Sequence, residues 1–282
     1  MNKIALIWKT KDLRNKILIM IGLLILTRFL AHIPIPGLSA TSLQNFFNQN
    51  QLFNLLDIFS GGGLSNLSIA MLGVGLYITA SIVIQLLSVI IPSFSELQKE
   101  GGEAGRAKLA QYTRYLTVPL SVLQGYSTIR LFQSAQGGAA IGNLTSFQWL
   151  ITLVAIAVGT ILLMWLGELI TEYGIGNGIS LIIFAGIVAR LPQALQQMLS
   201  LYDPSKLPMI IAFIAAGLLV IAAVVYVTEA QRNIPVSYAK RMTGNKTYGG
   251  VSTHLPLRVN QAGVIPIIFA ISVMLLPGLI AN

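Results

Sequence analysis

Long apolar runs separated by short polar segments dominate this chain, and two of the runs are joined abnormally. Residues 59–92, FSGGGLSNLSIAMLGVGLYITASIVIQLLSVIIP, hold a short apolar piece opened by three glycines and a longer one from about Val74 to Ile91. The two meet at Gly73 and Gly75. A spanning helix needs about 20 apolar residues, whereas a stretch of about 10–14 fits a re-entrant or interfacial segment. Irregular backbone at membrane depth survives only where protein or a water-filled cavity satisfies its polar groups. The short piece is therefore expected to be a half-helix seated in a cavity open to one side of a membrane.

The same pattern predicts seven spans, at about 17–33, 74–91, 115–133, 148–167, 179–198, 208–228 and 262–281. The fold class is an all-α polytopic membrane protein. The first run follows a cationic N-terminus, as a signal peptide does, but HIPIPG after it is a poor cleavage site, so this helix is read as retained. Some spans carry polar residues. Thr79, Ser81, Gln85 and Ser88 lie in the second; Pro119, Gln124, Ser127 and Arg130 lie in the third. Intramembrane polar groups face the bundle interior or a wet path, and the serines and threonines are expected to bond between helices. Gln85 is expected deep in an apolar face, where its amide needs partners. Arg28, near the outer end of the first span, can anchor there by snorkelling.

Composition agrees with a membrane class. Apolar residues make up 55% of the chain and charged ones 10%, against about 25% charged in soluble domains. Fourteen of the eighteen Lys and Arg residues precede the first span or lie between spans two and three or six and seven, whereas 34–72 has none. Cytoplasmic loops carry the excess of positive residues, which places the N-terminus in the cytoplasm. The net charge of +9 largely reflects that asymmetry, so it is weak support for a nucleic-acid partner.

Catalytic chemistry has little to stand on. The chain holds no cysteine and only His32 and His254, far apart in sequence. There is no GxxxxGK[ST] phosphate loop and no HExxH pair. GIGNGIS at 174–180 has dinucleotide-like glycine spacing but no preceding strand. Ser180 with His254 fails as a protease dyad, because His254 lies in a charged loop and offers no bilayer-buried base. The acids fall in loops or near span ends, with Glu168 and Glu172 read as helix-end residues. No enzyme, no cofactor and no metal site is expected.

Six stretches carry a resemblance: RFLAHIPIPG (28–37), FSGGGLS (59–65), YITASIVIQLL (77–87), KEGGEAGRAKLAQYTRY (99–115), MWLGELITEYGIGNGISLIIFAGIV (164–188) and STHLPLRVNQAGVIPIIFA (252–270). Together they resemble the SecY family of bacterial preprotein translocase subunits along the whole chain. The resemblance implies a protein-conducting channel in the bacterial cytoplasmic (inner) membrane, passing unfolded secretory chains across and releasing membrane segments sideways into lipid. It also implies an inverted-repeat, two-half architecture of about ten spans. Residues 1–198 would be the first half; 199–282 would begin the second, with a cytoplasmic loop at 229–258. Spans eight to ten and the loop between eight and nine then lie outside this sequence.

The family's functional parts map onto particular residues. The plug would run from Ser60 to about Leu72, including Gly61, Gly62, Gly63, Leu64, Ser65 and Ile69, its glycines and small polar residues letting it leave without a large apolar cost. The aliphatic pore ring would be Val74, Ile78, Ile179, Ile183 and Ile268. Its contributor from span ten is absent here, implying a waist that closes incompletely. Gly75–Leu76, where the family suggests a bulkier residue and proline, implies a wider corner. Gln85, Gln124 and Asn260 match lateral-gate positions. Lys240, Arg241 and Lys246 would meet ribosomal RNA phosphates or the SecA ATPase, Gly244–Asn245–Lys246 replacing a more basic stretch. SecE and SecG, signal peptides, nascent chains and membrane lipids are the other implied partners. The alternatives are a secondary transporter of a small solute, which also uses broken helices, and an inactive fragment needing a complementing chain.

Overall fold

The structure, a computed structural model, describes residues 9–36, 57, 60–134, 144–200, 207–237, 241–243, 246–248, 252–260 and 270. It divides into two compact units, Met1–Gln196 with Ile268–Asn282, and Gln197–Ile267.

In the first unit, α1 (Lys11–Leu30) has Asp12 in its first turn and Arg28 in its last, both complementing the helix dipole. Helix α2 (Gly75–Ile90) ends where Ile91 turns extended ahead of Pro92, as a residue preceding proline must. Pro92 then opens α3 (Pro92–Lys99), bent 104° from α2. Helix α4 (Gly102–Ser134) runs 33 residues, about 50 Å, and so extends well before the expected 115–133 span. Helix α5 (Ser146–Tyr173) starts with a capping box between Thr145 and Gln148. Asn177 caps α6 (Gly178–Val188) by accepting from the Ser180 amide, and the Thr171 hydroxyl accepts from the Gly178 amide across the turn.

Three expectations need correction here. The fifth span is not one helix: α6 stops at Val188 and α7 (Leu191–Ser200) restarts after Ala189 and Arg190. Pro192 explains the break, since it has no amide to donate to the Val188 carbonyl one turn back. The glycine-opened piece is not a half-helix either; residues 61–74 form successive turns with a bridge at Ser68. Positive φ at Gly61, Gly62, Leu67 and Gly73 breaks any helical run. Several span threonines bond within their helices, Thr79 to the Gly75 carbonyl, Thr117 to Thr113, Thr128 to Gln124 and Thr160 to Ile156, whereas Ser88 reaches Gln98 of the next helix as expected.

Two apolar clusters organise this unit. One joins Ile35, Leu64, Leu67, Met71, Ile129, Phe132 and Ile156. The other joins Ala31, Ala70, Val74, Leu163, Ile170 and Ile182. Both draw on the turn-built segment as well as on the helices.

The second unit contains α8 (Leu207–Glu229), a 23-residue apolar helix with no buried residue. After it comes an antiparallel ladder of β1 (Gln231–Ser237) and β4 (Ser252–Arg258), registered from Gln231 opposite Arg258 to Ser237 opposite Ser252. A shorter pair, β2 (Arg241–Thr243) and β3 (Lys246–Tyr248), lies in sequence between them. The protein is mostly helical, and this ladder corrects the all-α expectation. Its alternating Ile234, Val236 and Leu255, Leu257 have the period of strands; Pro235 and Pro256 are tolerated because both strands are edges.

Among the described residues, α5 and α8 are each long and apolar enough to cross a membrane, and the bent α2–α3 pair makes a third candidate. A count of seven spans is not established. The seventh, 262–281, lies outside the described residues apart from Ala270.

Candidate functional site: a buried glycine turn at the head of a membrane helix

The glycine run folds around the carboxylate of Asp57. Its Oδ1 accepts from the Ser65 amide at 2.8 Å, and its carbonyl accepts from the Gly62 amide at 2.9 Å. Ser60 Oγ donates to the Asp57 carbonyl at 3.0 Å and accepts from the Leu64 amide at 3.1 Å. Ser68, fully buried, donates through Oγ to the Gly63 carbonyl. Two backbone bonds then stitch the segment to the end of α1: Ile35 donates to Leu67 and Ile69 donates to Ile33. Short polar side chains thus satisfy a backbone that no helix or sheet supports.

Two arginines reach this turn from the helices. Arg28 of α1 donates to the Gly61 carbonyl at 2.7 Å. Arg190, between α6 and α7, pairs through Nη2 with Asp57 Oδ2 and lies 3.3 Å from Ser65 Oγ. Asp57 itself is only 3% exposed. Close approach depends on glycine. A Cβ at Gly186 on α6 would lie 3.3 Å from Gly61 Cα, and one at Gly159 on α5 would collide with the Ile69 carbonyl.

The segment is not loosely held. Leu64, Leu67, Ala70 and Met71 are all buried, Met71 completely. That corrects the expectation of a small apolar cost for leaving, since each large side chain contributes about 1.5–3 kcal/mol when buried. Beneath it lies a small cavity lined by Thr27, Arg28, Ala31, Ser60, Ala70, Gly73, Val74, Leu163 and Ile182.

The expected ring residues fall close to this seat. Val74, 2% exposed, caps α2 and belongs to the second apolar cluster, with the half-buried Ile179 and Ile183 packed against it. Ile78, half-buried, sits one turn up α2 from Val74 and donates to its carbonyl. Ile268 lies outside the described residues. The expected gate residues divide between the units: Gln85 on α2 and Gln124 on α4 in the first, Asn260 just after β4 in the second. Gln85 is exposed rather than deep; its carbonyl accepts from Ser88 Oγ, which lies equally 2.6 Å from Gln98 Oε1 on α3. Of the expected docking cations, Arg241 pairs with Tyr248 in β2–β3 and Lys246 with Thr243, while Lys240 lies outside the described residues. Glu168 pairs with Arg114 at 2.7 Å, tying α5 to α4.

Sequence reasoning missed Asp57 and Arg190 and left Arg28 as an anchor. An aspartate just ahead of a glycine run was a visible signal. Its partner 133 positions later was not.

The SecY family model matches residues 68–282. The protein translocase subunit SecY of Mycobacterium tuberculosis (strain ATCC 25618 / H37Rv) is 47% identical over 287 residues, 97% of this chain and 64% of that protein. The corresponding subunit of Corynebacterium glutamicum is 45% identical, across 100% of this chain and 66% of its own length. The chain thus spans just under two thirds of these curated relatives. Among solved structures, one of a protein-conducting channel superposes with a TM-score of 0.63 at 22% identity, covering 96% of this chain and 59% of that one. Sec61 in the canine ribosome–channel complex gives 0.60 at 21%, covering 96% and 59%. These likenesses show the channel fold.

Proposed function

The chain belongs to the SecY family of membrane channel proteins, and on that premise we propose that it forms part of the conduit of a Sec protein translocase. Unfolded secretory polypeptides would pass across the bacterial cytoplasmic membrane through it, and hydrophobic segments would leave sideways into lipid. It is a transport component rather than an enzyme. The N-terminus lies in the cytoplasm, as the loop cations favour.

One observation supports this reading most: a buried, turn-built glycine segment leads directly into Val74 at the head of α2. Residues 60–72 act as the plug. Val74, Ile78, Ile179, Ile183 and Ile268 form the constriction, where aliphatic side chains exclude ions by dewetting yet yield to a chain. Gln85, Gln124 and Asn260 line the lateral gate. Lys240, Arg241 and Lys246 in the segment after α8 contact ribosomal RNA phosphates or SecA, and SecE and SecG complete the complex. The energy for transport comes from such a partner or from the proton gradient.

The test is site-specific cross-linking in the assembled, exporting complex with an arrested substrate. Cross-linkers at Ile78 and Ile183 are expected to capture the polypeptide. Export without capture at either position sinks the reading.

A further inference from the structure

We propose that Asp57, Arg190 and Arg28 form an electrostatic latch that holds the glycine turn in its seat and sets how readily it leaves. The proposal rests on reading residues 60–72 as the plug.

The bonds of Ser65 and Ser68 to the Gly62 and Gly63 carbonyls, and of the Leu64 amide to Ser60, are internal to the segment and would travel with it, while Asp57, just ahead of it, binds Ser60 and Ser65. The contacts from Arg28 and Arg190 would not, because these side chains belong to the surrounding helical framework. The two guanidiniums flank consecutive glycines. A Cβ at Gly61 would lie 2.7 Å from Arg28 Nη1, and one at Gly62 would lie 3.5 Å from Arg190 Nη2. Two cations therefore converge on one turn, and Asp57 is the carboxylate that pairs with one of them, Arg190. Its two oxygens have separate duties: Oδ1 caps the Ser65 amide and Oδ2 takes Arg190. One residue both shapes the turn and fastens it.

This arrangement is asymmetric. A nearly buried carboxylate needs an opposite charge, and removing one member of such a pair leaves the other uncompensated. Without Arg190, Asp57 still caps the Ser65 amide and Arg28 still holds the Gly61 carbonyl. Without Asp57, two guanidiniums face each other across the turn and push it out.

The test uses the full-length chain in its assembled complex, reading resting ion conductance in planar bilayers and export of a reporter with a crippled signal sequence. Asp57→Asn is expected to raise both about tenfold or more, and Arg190→Gln to raise both by less. The double variant is expected to leak less than Asp57→Asn alone, because losing Arg190 also removes the repulsion that the missing carboxylate exposes. Arg190→Lys keeps the charge and is expected to stay near the parent; a leak as large as that of Arg190→Gln overturns the latch. Effects that multiply in the double variant overturn the latch. So do Asp57→Asn and Arg190→Gln at parental conductance while deletion of 60–72 leaks, which leaves the plug reading standing. If that deletion also leaks no more than the parent, both readings fall.

Discussion

At the scale of single residues, three glycines have three different reasons to be glycine. Gly186 has backbone on one side and a charge on the other: an added Cβ would sit 3.1 Å from Arg28 Nη2 and 3.3 Å from Gly61 Cα. Gly186→Val is therefore expected to destabilise the protein by about 1–3 kcal/mol, as overpacking does, and to raise resting conductance by lifting the turn. A parental conductance would show that the turn does not rest on this position. Gly61 is needed for its φ of 70°. Gly75 has neither reason, since nothing lies within 4 Å of its missing Cβ. Gly75→Ala at the start of α2 is expected to stabilise by about 0.4–1 kcal/mol, read as a higher midpoint of thermal unfolding in detergent. The sequence marked Gly75 as unusual for the family, but whether that corner had room was a matter of packing. The Asp57–Arg190 pair was illegible for the same reason.

At the scale of elements, hydropathy located the helices well, because burial of an apolar stretch in lipid depends on composition more than on neighbours. The starts and ends of α2, α5 and α8 fall within a few residues of the expected spans or extend past them by a turn or two. Where proline or glycine competes with apolarity, hydropathy misleads. Pro192 splits the fifth span, and positive φ at four positions turns the expected half-helix into a chain of turns. The hydroxyls of α4 were expected to reach other helices; bonding to their own carbonyls one turn back satisfies them locally instead. The turn segment is itself part of the core, which gives a prediction at this scale. Met71→Ala removes a fully buried side chain from the cluster around Phe132 and Ile129. A loss of about 2–5 kcal/mol is expected, together with raised resting conductance. Phe132→Ala, on α4 rather than the turn segment, is expected to lower stability by about 3–5 kcal/mol with a smaller change in leak. Equal leak from the two would mean that the seat, not the turn segment's own side chain, sets closure.

At the scale of the whole molecule, α8 is apolar along its length, and none of it is buried among the described residues. Its family membership was legible in six long stretches, while the ladder after α8 was read only as a charged loop. That loop's cations masked a period-2 apolar pattern in Ile234, Val236, Leu255 and Leu257. If Lys240, Arg241 and Lys246 meet RNA phosphates, replacing all three by Ala is expected to weaken binding to ribosomes. The slope of log affinity against log salt should fall by about 2–3. An unchanged slope would assign these cations to topology alone. Asn260→Leu is expected to alter the signal-sequence selectivity of export; selectivity like the parent's would remove Asn260 from the gate.

The ladder has a mechanical corollary. Seven facing residue pairs, closed at the base by the Val259 amide on the Ala230 carbonyl, make a rod about 23 Å long with strands about 4.8 Å apart. The end of α8 and the chain entering Asn260 are thereby tied side by side. A tug at the far tip would reach both together, so the helix and whatever follows Asn260 shift as a pair rather than shear past one another.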